Sequence, residues 1–160
     1  MHPNETLINT FYESFQKRDY KGMAACYHPE VHFYDEAFQD LKGFEASAMW
    51  QMLCTNARDL ELIFSGISAD DTKGCAHWEA TYTFSATGRR VINLIDATFT
   101  FKDGKIIDHR DQFDFKKWLG MAFGLMGKLF GGTSFLQSKV RGTAKKNLQT
   151  FIKKNNLGPG

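Results

Sequence analysis

Apolar residues recur at helical spacing near the start of the chain and at alternate positions through its middle. Leu7, Ile8, Phe11, Tyr12 and Phe15 lie three or four residues apart, which predicts a helix capped by Asn4 and running to about Lys17. Tyr20, Met23, Ala24 and Tyr27 predict a second short helix from about Asp19 to Tyr27. His28-Pro29 breaks it, because a proline disfavours helix in the residue before it. Val31, Phe33 and Asp35 then alternate with His32 and Tyr34 in a short strand. Gly43 ends the following loop, and Phe44 to Ala57 reads as a third helix with Ala48, Met49, Met52 and Leu53 inward.

From about residue 60 the period shortens to two. Leu60 to Ala69 is one strand, closed by Asp70-Asp71. Cys75 to Ala86 sets Ala76, Trp78, Ala80, Tyr82 and Phe84 against His77, Glu79, Thr81 and Thr83, so His77 and Glu79 belong to an outer face. Thr87-Gly88 turns the chain into Arg90 to Phe101, and Lys102-Asp103-Gly104 turns it again into a last strand. Two tight turns between long strands predict an antiparallel meander, and helices followed by such a sheet predict an α+β domain. In the last strand Ile107, His109, Asp111 and Phe113 share one face, and Asp108, Arg110, Gln112 and Asp114 the other. A half-buried strand should read apolar on its inner face. An imidazole and a carboxylate between Ile107 and Phe113 therefore point to a partly buried, polar-lined pocket.

The tail has a different texture. Lys116 to Phe130 is apolar and punctuated by Gly120, Gly124 and Gly127, and Gly131-Gly132 ends it. A final helix starts at Ser134 or Ser138 and runs to about Asn155, with Leu136, Val140, Ala144, Leu148, Phe151 and Ile152 on one face and lysines and Arg141 on the other. Segment 120–132 reads either as a lid over a pocket or as a membrane-surface contact beside the basic helix. The preferred reading packs the helix's apolar stripe on the domain or on a partner subunit, since such stripes usually bury in protein.

Composition narrows the class. The chain's 160 residues suit one domain, and 15 Phe supply an apolar interior. A formal net charge of +2 gives no global steering toward nucleic acid. Cys26, Cys54 and Cys75 form no paired spacing, which favours a reducing compartment, and with no secretory signal or long apolar run the cytoplasm is the expected location. No phosphate-binding glycine motif and no metal-ligand spacing occurs, so neither cofactor nor metal is expected.

The segments ETLINTFYESFQKRDY, YHPEVHFYD, LKGFEA, TGRR, NLIDATFTFKDGKI and HRDQFD, in this order, resemble the nuclear transport factor 2-like superfamily, and more narrowly its SnoaL-like and ketosteroid-isomerase-like members. The resemblance covers roughly residues 5–118. It implies a domain over 1–118 and an added segment over 119–160. The implied fold is a cone-shaped, curved antiparallel sheet wrapped around N-terminal helices, with a pocket inside. The superfamily hosts isomerases, polyketide cyclases, epoxide hydrolases and non-enzymes, so the fold alone leaves function open. Asp35 falls where the steroid isomerases place their general base. Asp96 lies near their oxyanion-hole acid, but with one residue too many before Phe99; by strict alternation it faces outward, and only a bulge would turn it in. Their catalytic tyrosine would fall near Ile8, with Tyr12 one turn on. Asp111 matches one acid of the epoxide hydrolases, whose arginine position is Leu94 here. Neither catalytic set is complete.

These residues define the candidate site. Asp35, His109 and Asp111 form an expected acid–base set, because a carboxylate in an apolar cavity titrates near neutrality and a neighbouring histidine can share its proton. Tyr12, Trp50, Asn93, Asp96, Phe99 and Phe113 are the expected substrate contacts. The competing structural readings are a buried His109–Asp111 bond that only orders its strand, an Asp35 that only caps a turn, and an Asp96 paired with Arg89, Arg90 or Arg110. The expected function is an isomerase-, cyclase- or lyase-type reaction on a small hydrophobic carbonyl compound such as a steroid, polyketide or terpenoid. The expected assembly is a homodimer through the outer sheet face. A non-catalytic ligand-binding or scaffold domain and an epoxide hydrolase are the alternatives.

Overall fold

The computed structural model describes residues 1–159. The N-terminal helix α1 (Pro3–Gln16) buries Ile8, Phe11, Tyr12 and Phe15, the expected stripe. Its cap is His2 rather than Asn4: the His2 ring accepts the Asn4 N–H while Glu5 reaches back to the His2 N–H. Asn4 is instead buried and donates to the Asp70 carbonyl. A short helix α2 (Tyr20–Ala25) ends before Tyr27, which starts strand β1 (Tyr27–Tyr34). The proline at position 29 sits inside that strand, where the register with its neighbour is irregular between Tyr27 and His32. A Pro is tolerated at such a break because no ladder N–H is required of it. Strand β2 (Leu41–Lys42) and helix α3 (Phe44–Asn56) follow.

Four more strands complete the sheet: β3 (Glu61–Ala69), β4 (Lys73–Phe84), β5 (Arg89–Lys102) and β6 (Lys105–Gln112). The spatial order is β2-β1-β6-β5-β4-β3. All pairs are antiparallel except β1 with β6, which run parallel. That pair joins the two ends of the sequence pattern and is the one departure from a fully antiparallel sheet. Asp103 (φ 54°) and Gly104 (φ 73°) both take positive φ between Lys102 and Lys105, the two-residue geometry that matches strand twist. Just beyond this turn a register shift between Thr100 and Phe101 makes Ile107 the extra residue. Ile106, rather than Ile107, is therefore the fully buried residue. His109 and Asp111 keep their predicted inward face.

The sheet curves around α1 and α3, and most buried apolar residues form one cluster between them. The Gly-punctuated segment forms two helices, α4 (Phe115–Phe123) and α5 (Leu125–Phe130), that fold against each other at Gly124 (φ 68°). Gly127 makes the contact close: a Cβ there would overlap the Leu119 carbonyl. Phe115, Trp118, Leu119 and Ala122 of α4 bury against Val91 in a second cluster. Ala37, Tyr82 and Phe113 touch both clusters and so join α4 to the main core. The last helix, α6 (Ser134–Lys154), is capped by Thr133 and buries Leu136, Leu148 and Ile152, with its C-terminal half against α3. Arg141 ties it to the loop after β1 and to α4: Nε donates to the Glu36 carbonyl (2.8 Å), and the guanidinium covers the Phe115 ring at 4.8 Å. No helix among the described residues is long and apolar enough to cross a membrane.

Candidate functional site

His109 occupies the middle of the cone. The sheet register sets it between Phe33 of β1 and Phe99 of β5. The Phe99 ring lies 4.5 Å away, Trp50 of α3 stacks on it at 6.0 Å and 15°, and Phe11 and Phe33 present edges at 5.5 and 5.1 Å. Inside such a wall both ring nitrogens need partners, and both have them. Nε2 is 3.0 Å from Asp111 Oδ1, and Nδ1 is 2.7 Å from the Tyr27 hydroxyl. Trp50 Nε1 donates to the same hydroxyl at 2.8 Å, and Trp78 Nε1 to Asp111 Oδ1 at 3.4 Å. One proton assignment satisfies every group: Trp50 N–H donates to the Tyr27 oxygen, Tyr27 O–H to Nδ1, and the Nε2–H to Asp111. The His109–Asp111 pair thus belongs to a buried chain of four side chains, with Trp78 joining at the carboxylate.

Tyr12 is the exception to this saturation. Its hydroxyl is buried and has no hydrogen-bond partner among the described residues. Burial, and then the charge of Asp111, push its pKa well above the ordinary 10.0, so it stays a neutral O–H. An unpaired buried donor costs on the order of 1–3 kcal/mol.

Asp35 lies just past the end of β1. Its Oδ1 accepts the Ala37 N–H (2.9 Å) and the Phe38 N–H (2.6 Å), which closes the turn. Its side chain keeps a little accessible surface, yet most of the space around the carboxyl is protein. Burial therefore pushes the pKa from 3.8 up to about 7; Asp111 adds to the rise and the backbone N–H groups oppose it. The carboxyl therefore caps the turn, and that role does not use up its capacity to titrate near neutrality. Tyr82 lies close enough for the Asp35 charge to act on it, and its hydroxyl accepts the Trp118 N–H at 2.8 Å. Asn93 is buried on the inner face of β5, and its side-chain amide makes no hydrogen bond among the described residues. Phe113 sits at the junction of the two clusters.

Asp96 must be corrected. It is on the outer face, its side chain 80% exposed, with Oδ1 2.9 Å from His77 Nδ1. The β4–β5 ladder is regular from Lys73–Thr100 to Phe84–Arg89, so no bulge turns Asp96 inward, and its partner is a histidine rather than an arginine. Arg110 and Asp114 are structural, as Arg110 Nε donates to Asp108 (3.2 Å) and Asp114 caps α4. Sequence reasoning missed Tyr27, assigned there to a helix end. The signal for Tyr27 was its phase: Tyr27, Val31 and Phe33 all alternate inward. No group of three or more His, Cys, Asp or Glu side chains that would hold a metal ion occurs among the described residues.

The sequence model of the SnoaL-like domain matches residues 8–109, from within α1 to His109 itself. The chain belongs to the SnoaL-like family. Solved structures agree on the fold. An NTF2-like protein of unknown function from Burkholderia pseudomallei aligns with TM-score 0.66 at 18% identity over 76% of this chain and 98% of its own. A protein described as a polyketide cyclase, from Xanthomonas campestris pv. campestris, aligns with TM-score 0.60 at 19% identity over 73% and 94%. An LEH-like epoxide hydrolase of M. tuberculosis aligns with TM-score 0.63 at 17% identity over 81% and 97%. No curated protein matches the sequence. At these identities the likeness establishes the SnoaL-like cone, and the chemistry has to be argued from the site.

Proposed function

We propose that this SnoaL-like protein binds a small hydrophobic carbonyl compound, of steroid, polyketide or terpenoid type, and moves a proton on it by cofactor-independent acid–base catalysis. The reaction is of isomerase, cyclase or lyase class. The observation that carries this reading is the Asp35 carboxyl, anchored by two N–H groups past the end of β1 and held near pH 7. A base with that pKa combines a useful ionised fraction at neutrality with enough basicity to take a proton α to a carbonyl. In the reaction Asp35 takes that proton, and the negative charge passes to the carbonyl oxygen. Asn93 or the unpaired Tyr12 hydroxyl donates to it there. Asp35 then returns the proton to a second carbon. His109 and Asp111 sit behind this site, with the Asp111 charge helping to keep Asp35 basic. The polyketide cyclase neighbour supports the substrate class. The epoxide hydrolase alternative has less support, since Leu94, at the arginine position, points outward and is exposed.

A second reading, non-catalytic ligand binding, is favoured by one observation. Phe11, Phe15, Phe33, Trp50, Trp78 and Phe99 already fill the deep cone with ring contacts. A ligand is then held outside the filled cone, beside Asp35. In both readings the outer sheet face, where Ile63, Ile92 and Leu94 are exposed, is where we place a homodimer contact.

Native mass spectrometry of the purified protein identifies a retained ligand, and α-proton exchange of bound ketones in D2O, followed by NMR, tests the chemistry. Exchange that rises with pH through about 7 and drops by about 10²–10⁴-fold in Asp35→Asn is the expected result. Binding with equal exchange in both proteins would transfer the site to the non-catalytic reading.

A further inference from the structure

Helix α5 is inverted. A surface helix ordinarily turns its apolar stripe toward the core. In α5 the buried residue is Gly127, while Leu125, Met126, Leu129 and Phe130 are between 53% and 72% exposed. Phe135, at the start of α6, extends the patch at 77%. Five large apolar side chains within residues 125–135 are thus exposed, four of them on one face of α5, and apolar exposure of this density marks an interaction site.

The rim of this patch is basic. Residues 1–114 carry 11 Lys and Arg against 18 Asp and Glu, whereas residues 115–160 carry nine Lys and Arg and no Asp or Glu. A small net charge hides this division. Beside α5 lies a cleft of about 490 Å³ lined by Arg89, Arg90, Lys116, Lys117 and Lys128, with Asp114 its one acid. Arg90 is paired with Asp59 and Arg89 with the Met121 carbonyl, but none of Lys116, Lys117, Lys128 and Lys139 forms an ion pair among the described residues.

We propose that the α5 edge docks this protein on an anionic membrane surface. Leu125, Met126, Leu129, Phe130 and Phe135 enter the headgroup–acyl boundary, and the lysines meet lipid phosphates and carboxylates. Charge selects this occupant over a second copy of the chain. A two-fold contact through α5 would set one copy's unpaired lysines against the other's, and like charges across an interface oppose it. An apolar knob with a basic rim is the arrangement that lies in a bilayer interface without crossing it.

Sedimentation of the full-length protein with vesicles tests this. Vesicles of phosphatidylcholine mixed with phosphatidylserine should carry the protein down, vesicles of phosphatidylcholine alone should not, and raised salt should release it. Lys116→Ala/Lys128→Ala should bind about 25-fold more weakly, taking about fivefold for each lysine near the surface. Leu129→Glu/Phe130→Glu should abolish binding while leaving the thermal midpoint unchanged, because both side chains are exposed. Failure to bind the phosphatidylserine vesicles, or equal binding by wild type and the glutamate variant, overturns the proposal. So does a light-scattering dimer that the glutamate variant dissolves while vesicles are ignored, since a second copy would then cover the patch.

Discussion

Replacing Asp35 by Asn should make this protein more stable, by an amount that grows from about pH 4 and levels off once pH passes about 7. In the folded state the carboxyl titrates near 7 instead of 3.8. Between those values the unfolded chain is ionised while the folded one holds its proton, so folding takes up a proton and stability falls as pH rises. The loss begins at about 3.8 and is complete once pH passes about 7. Three units correspond to about 4 kcal/mol. Water that reaches the partly accessible carboxyl trims this, which leaves about 2–4 kcal/mol above pH 8. Asn keeps an oxygen for the Ala37 and Phe38 N–H groups and carries no charge, so Asp35→Asn escapes the penalty while preserving the turn. Urea unfolding at a series of pH values from 4 to 9 reads the effect directly. The two stability curves should meet near pH 4 and diverge until about pH 7, and thermal melts at pH 8 should place the variant's midpoint roughly 5–10 °C higher. Parallel curves, or a variant destabilised equally at every pH, would show that the carboxyl is not held protonated and would remove the main support for a general base at this position. A residue that costs the fold this much at physiological pH is more readily explained by function than by architecture.

Two further substitutions separate the saturated part of the interior from the open part. Tyr27→Phe leaves the Trp50 N–H and His109 Nδ1 without partners and should cost about 2–5 kcal/mol, read as a lowered thermal midpoint; a cost below about 0.5 kcal/mol would mean the buried chain is not formed. Tyr12→Phe removes a hydroxyl that has no partner, so stability should hold or rise by about 1 kcal/mol while affinity for a bound ketone falls about tenfold, as measured by tryptophan fluorescence titration.

The periodic parts of the chain were legible because burial enforces period. The stripe of α1, the alternation of β4 and β5, and the inward phase of His109 and Asp111 all follow from one apolar face meeting one core. Asp96 illustrates the strength of that rule: alternation sends it outward, and the family position near an oxyanion-hole acid does not bring it back. What escaped was non-local or locally ambiguous. Tyr27 precedes a His-Pro pair that reads as a helix stop, and its role depends on a parallel neighbour far along the chain. Nothing near Tyr27 announces Ile106 as its register partner. The division of the Gly-punctuated segment into two helices was not legible either, since it rests on the close packing of Gly127 on Leu119.

The parallel β1–β6 pair also governs how the protein is made. The Tyr27–His109 bond closes a loop of 82 residues, and the helices and hairpins between them can form locally first. Closing so long a loop is entropically expensive and comes late in folding. A chain still emerging from the ribosome, with β6 unmade, has its three tryptophan-and-tyrosine donors and its cone axis open to solvent. The aromatic interior is therefore an end product of folding, and until β6 is in place the surface it later encloses is exposed and prone to association.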